Sequence, residues 1–120
     1  MFILDTDFIF SYFDKNQSTH LQAVEIVQKY GEQKNMISNL TKQEIATVIS
    51  RKIGQKESFE VIKNLELFEP IETGKIWELF WSFNKKNISF VDCSNLFLAK
   101  KYNCQIASFD QFYSKGFLLI

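Results

Sequence analysis

The chain has 120 residues, enough for one hydrophobic core, so we expect a single domain over residues 1–120. Fourteen lysines and arginines balance fourteen aspartates and glutamates, which excludes a global charge that would direct the protein to nucleic acid or an anionic membrane. No apolar run approaches the roughly 20 residues needed to cross a bilayer, so no membrane span is expected. Two widely spaced cysteines and an acidic start without a basic leader predict a reducing cytoplasm.

Short apolar strands alternate with helical stretches along the whole chain. The first strand, Phe2–Leu4, is apolar throughout, as is typical of a central strand covered on both faces. A short helix or turn at 8–13 follows it. Periodicity and capping residues then predict helices at 19–30 (capped by Ser18), 39–53, 55–67, 73–85 and 90–102, and strands at 36–38, 68–71, 105–108 and 117–120. This alternation indicates the α/β class, as a three-layer α/β/α sandwich with a central, mostly parallel sheet.

Four acidic residues from distant segments fall at one edge of the predicted sheet. Asp5 directly follows the first strand, and Asp110 follows the strand at 105–108. Glu44 and Asp92 are each predicted in the first turn of a helix. Because the carboxyl ends of parallel strands and the helix N-termini after them share one edge, these four carboxylates should converge on one crevice.

Three of these acids also have a purely structural explanation. Thr41 to Glu44 and Ser89 to Asp92 match the capping box, in which the acid accepts a hydrogen bond from the backbone of the cap residue. Asp110 could cap the turn that follows it. Asp5 is harder to explain in this way, because a charge at the end of a buried strand must be paired or bind a cation.

A cluster of carboxylates in a low-dielectric crevice implies raised pKa values or a bound cation, because the charges repel one another. A set of oxygen ligands without a neighbouring His or Cys favours Mg²⁺ or Mn²⁺. The single histidine, His20, is expected on the surface, away from the acids. Such a metal site can polarise phosphoryl oxygens and orient an attacking water, so it predicts phosphodiester hydrolysis.

The segments that carry the acids resemble the PIN domain, and within it the small VapC-type toxins of bacterial toxin–antitoxin pairs. The resemblance covers the whole chain, and its markers are Ile3-Leu4-Asp5-Thr6-Asp7, Ser38 with Glu44, Ile88 to Cys93, Leu98-Ala99, and Ile106 to Asp110. It implies metal-dependent RNA cleavage with Asp5, Glu44, Asp92 and Asp110 as the catalytic acids. Asp5, Asp92 and Asp110 would hold one or two Mg²⁺ or Mn²⁺ ions.

The same resemblance implies supporting roles for four neighbouring residues. Thr6 and Ser108 match positions where a small hydroxyl residue is common beside the metal site. Asp7, where Asn is more usual, is interpreted as a further acid near the site or, preferably, as a cap of the following turn. Asn95 stands where the family often has another acid, which argues against a tightly held second ion.

The implied partners are an RNA substrate, a second copy in a homodimer, and an antitoxin protein whose tail enters the crevice. The aromatic residues are more numerous than a small core needs, so some could form an interface, although packing of one helix on the sheet is the preferred explanation of Trp77, Phe80 and Trp81. Three basic pairs could contact phosphates or simply be solvated helix ends: Arg51-Lys52, Lys85-Lys86 and Lys100-Lys101.

Two other functions compete with the metal-dependent nuclease. A haloacid-dehalogenase-like phosphohydrolase would use Asp5 as nucleophile and Asp7 as acid or base. It also needs a lysine and an acidic pair at later strand ends, which the segments around Asp92 and Asp110 lack. A catalytically inactive PIN fold would be a scaffold for RNA or protein, but it predicts the loss of an acid, and all four acids are present.

Overall fold

The computed structural model describes residues 1–63, 68–69, 73–83, 88–113 and 118. The elements in chain order are β1 (Phe2–Leu4), α1 (Thr6–Phe13), α2 (His20–Tyr30), β2 (Asn35–Ser38), α3 (Asn39–Lys52), α4 (Gln55–Lys63), β3 (Phe68–Glu69), α5 (Thr73–Ser82), α6 (Phe90–Tyr102) and β4 (Gln105–Ala107). Within these ranges, no helix is long and apolar enough to cross a membrane.

The four strands form one parallel sheet in the order β3-β2-β1-β4. The predicted central position of β1 is confirmed, since Ile3 pairs with Met36 on one side and Ile106 on the other. Leu118, from the predicted strand at 117–120, makes a parallel bridge to Ile106. The other residues of that strand lie outside the described residues, as do the ends of the helices predicted at 55–67 and 73–85.

Successive side chains of β1 enter two different apolar cores, one on each face of the sheet. Phe2 and Leu4 pack in a core with α1, α3 and α4, whereas Ile3 packs in a second core with α5, α6 and β4. Burying a side chain of this size stabilises the fold by about 1.5–3 kcal/mol. The two cores confirm the predicted three-layer sandwich, and they explain why the strand has no polar face.

Hydroxyl side chains cap two of the helices, and one predicted cap is wrong. Ser38 caps α3, where its hydroxyl accepts a hydrogen bond from the Thr41 N–H at 3.0 Å. The capping box predicted at Thr41 to Glu44 is therefore wrong, and Glu44 lies in the second turn of α3. The capping box of Ser89 and Asp92 is confirmed, with bonds of 2.9 and 3.1 Å.

The N-terminus of α2 also differs from its prediction. Thr19, and not Ser18, is the cap residue, and its side chain makes no capping hydrogen bond. Its hydroxyl lies 2.6 Å from that of Ser11 instead. His20 is half-buried, with Nδ1 at 2.8 Å from the Ser11 carbonyl oxygen, so it is not the free surface residue expected.

The aromatic residues of α5 divide between the core and the surface. Trp81 is 72% exposed and Trp77 is 46% exposed, and their rings stack with centroids 5.8 Å apart. Phe80 is half-buried and packs against the second core. Packing on the sheet therefore accounts for Phe80 but not for Trp81.

Candidate active site

The acids predicted at the carboxyl edge of the sheet lie there. β1 ends at Leu4, and Asp5 caps α1 by accepting a hydrogen bond from the Thr6 N–H at 2.9 Å. Asp7 is in the first turn of α1 and Asp92 is in the first turn of α6. Asp110 follows shortly after β4, which pairs directly with β1. The parallel topology thus brings the acids of three distant segments together.

Asp5 is the most buried of these acids, at 4% exposure, and three groups donate hydrogen bonds to it. Besides the Thr6 N–H, the Asn95 amide donates to Oδ1 at 2.9 Å and the Ser108 hydroxyl donates to Oδ2 at 2.6 Å. Burial, followed by the charges of Asp7 and Asp92, raises the pKa of Asp5 to about 8, although the Ser108 and Thr6 bonds favour the charged form. Ionisation of Asp5 therefore has a high electrostatic cost, although three hydrogen bonds hold its side chain in place.

Asp7 belongs to the acid cluster and does not cap a turn, so the preferred interpretation of this residue is wrong. Asp5 is the cap of α1, and Asp7 accepts a hydrogen bond from the Phe109 N–H at 3.2 Å. The Ser108 hydroxyl lies 3.2 Å from the nearer oxygen of Asp7 and so stands between Asp7 and Asp5. Burial raises the pKa of Asp7, and the bonds from Phe109 and Ser108 oppose this shift.

Asp92 takes part in the predicted capping box and also lies beside the other acids. One oxygen completes the capping box with Ser89, and the other lies 3.4 Å from the hydroxyl of Tyr113. Burial raises the pKa of Asp92, and the charge of Asp110 adds to this shift. Asp110 itself accepts a hydrogen bond from the Phe112 N–H at 2.9 Å, which confirms that it caps the turn after it.

Glu44 reaches the site from α3, on the opposite side of the sheet edge from Asp92. It is half-buried and lines a cleft of about 340 Å³ together with Thr6 and Asp7. Its second-turn position leaves its carboxylate outside the cap of α3. The cleft brings Glu44 near Asp7, whereas Asp5, Asp92 and Asp110 do not line it.

Sequence analysis missed a chain of buried polar groups behind Asp5. Asn95 accepts a hydrogen bond from the Thr41 hydroxyl at 3.1 Å and donates a second bond, also 3.1 Å, to the Tyr113 hydroxyl. Ser38 links Thr41 to Ser94, at 3.1 Å from each hydroxyl. The available signal was the pair Ser94-Asn95 inside an otherwise apolar stretch of α6, because buried polar residues need partners.

Comparison with known proteins now identifies the fold. The PIN domain family model matches residues 2–115. This chain belongs to the PIN domain family. The crystal structure of Mycobacterium tuberculosis VapC20, a toxin that cleaves the sarcin–ricin loop, matches with a TM-score of 0.86 over 100% of this chain and 98% of that chain. The two are 19% identical, so this likeness shows a shared fold. A search of curated proteins finds no match.

The donor chemistry of this PIN site fits a divalent cation. Asp5, Asp7 and Asp92 have raised pKa values, and within the described ranges no basic side chain forms an ion pair with them. The buried hydroxyl oxygen of Thr6 also lacks a hydrogen-bond partner among the described residues. The described acids do not form a group of three that could ligate one ion directly. A divalent cation that keeps several of its waters needs only one or two carboxylates as direct ligands.

Proposed function

We propose that this PIN domain is an endoribonuclease that depends on Mg²⁺ or Mn²⁺. The proposal rests on the acid cluster at the carboxyl edge of β1. Among the described residues no basic side chain neutralises this cluster, and burial raises the pKa of Asp5 to about 8. A fold does not maintain such a cluster for stability, because buried carboxylates without a cation are unfavourable. Membership of the PIN family and the likeness to an RNA-cleaving toxin support RNA as the substrate.

We propose that Asp5, Asp92 and Asp110 hold the ion, one or two of them directly and the others through its bound waters. The Asn95 amide and the Ser108 hydroxyl orient Asp5, while the Ser89 backbone and the Tyr113 hydroxyl orient Asp92. When bound, a divalent cation supplies Lewis acidity toward a phosphodiester and lowers the pKa of the attacking water.

Glu44 is the residue best placed to accept a proton from that water. Its carboxylate lines the open cleft and has no role in a helix cap. Asp5 is unsuited to proton transfer, because it is buried and does not line the cleft. A positioned base of this kind contributes typically about 10²- to 10⁴-fold to a rate.

The dehalogenase-like alternative loses its support. A nucleophilic carboxylate must reach its substrate, whereas Asp5 is 4% exposed and fully hydrogen bonded. Membership of the PIN family argues against it as well. An inactive PIN scaffold stays as the outcome expected if no cleavage is found.

We also propose a toxin role, because the chain matches the toxin VapC20 over nearly its whole length. The resemblance of the sequence to VapC-type toxins further implies a cognate antitoxin and a homodimer, and we propose these as well. Expression of the protein alone should arrest growth, and co-expression of the antitoxin should relieve the arrest. Light scattering of the purified protein should give twice the mass of the chain. Growth that is unaffected, or a monomeric mass, would remove the corresponding part of the proposal.

The test of the nuclease is cleavage of a mixed RNA pool with Mg²⁺, with Mn²⁺ and with EDTA. Wild type should cleave only with a divalent ion, and Asp92→Asn should be inactive. Glu25→Gln is the matched control, because Glu25 is an exposed acid of α2 that contacts none of the cluster. Cleavage in EDTA, or full activity of Asp92→Asn, would contradict the assignment.

A further inference from the structure

The cleft beside the acid cluster has a basic end as well as an acidic one. It lies between α1, α3 and the segment after β4, and its volume is about 340 Å³. Asp7 and Glu44 line it, and so does Lys52 at the end of α3. The carboxylates of the proposed nuclease thus share one cavity with a cation.

Lys52 differs from its neighbour Arg51 in where its charge lies. Glu44, Val48 and Lys52 recur every four residues, so they share one face of α3, and all three line the cleft. Eight residues of helix separate Glu44 from Lys52 by about 12 Å. The Lys52 ammonium lies 4.8 Å from the centre of the Phe10 ring, which helps to hold it there. Both side chains are exposed, but Arg51 does not line the cleft.

The wall of the cleft also contains an incomplete polar contact. Thr6 is 6% exposed, and its hydroxyl oxygen has no hydrogen-bond partner in the described part of the chain. Leaving a buried hydroxyl unpaired is unfavourable, so such groups are usually satisfied by protein, water or a ligand. The wall of the cleft therefore contains an unsatisfied polar group close to Asp7.

We propose that the cleft holds the RNA nucleotide next to the scissile phosphate, and that Lys52 binds the phosphate of that nucleotide. The proposal rests on the proposed nuclease function. The scissile phosphate belongs at the acidic end, with the divalent ion. A neighbouring phosphate of the same strand reaches the basic end, where one lysine neutralises it.

The test compares Lys52→Gln with Arg51→Gln, which removes the same charge from the same helix turn outside the cleft. Both are made in a Glu44→Gln background, which slows cleavage and keeps the proposed metal ligands. The affinity for a fluorescent single-stranded RNA is measured with Mg²⁺ over a range of salt. Lys52→Gln should reduce the slope of log affinity against log salt by about 0.7, as expected for one lost phosphate contact on a single strand, and Arg51→Gln should leave it unchanged.

The second readout is the kinetics of RNA cleavage by the same two variants made in the protein that keeps Glu44. Lys52→Gln should raise KM for RNA with little change in kcat, because the contact is distant from the reacting atoms. An unchanged salt slope, equal effects of both variants, or a wild type that binds no RNA would overturn the proposal. Binding that depends on Lys52 without any cleavage would instead refute the nuclease and leave the cleft as an RNA site.

Discussion

The candidate site has two regions, which meet at Asp7. They differ in how far their acidic side chains are buried and in how many hydrogen bonds those side chains accept. In the interior, Asp5 is buried, and backbone, amide and hydroxyl donors hold it from three directions. In the cleft, Glu44 is half-buried, lies outside any cap and faces open space. The difference supports our proposal that the interior region holds a cation in a fixed place and that the cleft region performs proton transfer. Substitutions in the interior region and substitutions in the cleft should therefore impair different properties of the protein.

The largest effect on turnover is expected in the cleft. Glu44→Gln should lower kcat for RNA cleavage by about 10²- to 10⁴-fold, as expected for loss of a general base. Its thermal stability and Mn²⁺ affinity should stay close to those of wild type, because Glu44 caps no helix and is not a proposed ligand. A wild-type kcat in Glu44→Gln, measured beside Glu25→Gln, would show that another group takes the proton.

In the interior, the largest effect is on stability and its dependence on pH. The pKa of Asp5 is about 8 in the folded protein against an ordinary value of 3.8, so the native state binds this proton more tightly than the unfolded state. Its contribution to stability is complete below pH 3.8 and is lost as the pH rises through about 8. In EDTA, the free energy of unfolding should therefore fall by a few kcal/mol over this range, since each pKa unit corresponds to about 1.4 kcal/mol.

The matched variant for that experiment is Asp5→Asn. A neutral amide can donate to the Ser108 oxygen while the Ser108 hydrogen turns to Asp7, which lies 3.2 Å away. Asp5→Asn should therefore be more stable than wild type at pH 7 in EDTA and show a shallower pH dependence in urea unfolding. A metal-free wild type whose stability rises between pH 4 and 8 would contradict the raised pKa.

An intermediate effect is expected from the residues that orient the acids. Burial raises the pKa of Tyr113, so its neutral hydroxyl can donate to Asp92 while it accepts from Asn95. Partners of metal ligands typically contribute about 10- to 100-fold to metal affinity. Tyr113→Phe should weaken Mn²⁺ binding by about tenfold in calorimetry, and Tyr30→Phe, which removes a hydroxyl elsewhere, should not. Equal affinities of the two variants would make Tyr113 a packing residue only.

The smallest effect separates the two serine caps. Ser38→Ala should lower the free energy of unfolding by about 1 kcal/mol through loss of the α3 cap. Ser89→Ala should cost a similar amount and also weaken Mn²⁺ binding, because the Asp92 N–H loses the Ser89 hydroxyl as its acceptor and the helix turn that positions the Asp92 carboxylate is loosened. Chemical denaturation and metal titration of both variants check this pair. Weakened Mn²⁺ binding in both would show that any helix cap disturbs the site.

Much of the fold and most of the site could be predicted from local sequence. The apolar run at 2–4 predicted a central strand, and the parallel topology then predicted where Asp5 and Asp110 would lie. The error at Glu44 arose because Ser38 and Thr41 are three residues apart and both suit a cap, so the hydrogen bond between them decides which one begins the helix. The partners of Asp7 could not be predicted, because Phe109 is 102 residues away in the chain.

The three basic pairs show the same limit of prediction from local sequence. Arg51 and Lys52 are equivalent in the sequence, and only the direction of α3 against α1 distinguishes the residue that lines the cleft. Lys100 and Lys101 lie in the last turn of α6, whereas Lys85 and Lys86 lie outside the described residues. Contacts between distant segments therefore determine which charges belong to the site.

The most direct test of the central claim is calorimetric titration of the metal-free protein with Mn²⁺ at pH 7, without RNA. We predict that wild type and Glu44→Gln bind Mn²⁺ with similar affinity, and that Asp92→Asn binds at least about tenfold more weakly. This result would show that the interior acids form a cation site separate from the catalytic base. A wild type that binds no Mn²⁺, or an Asp92→Asn variant that binds as tightly as wild type, would contradict the account.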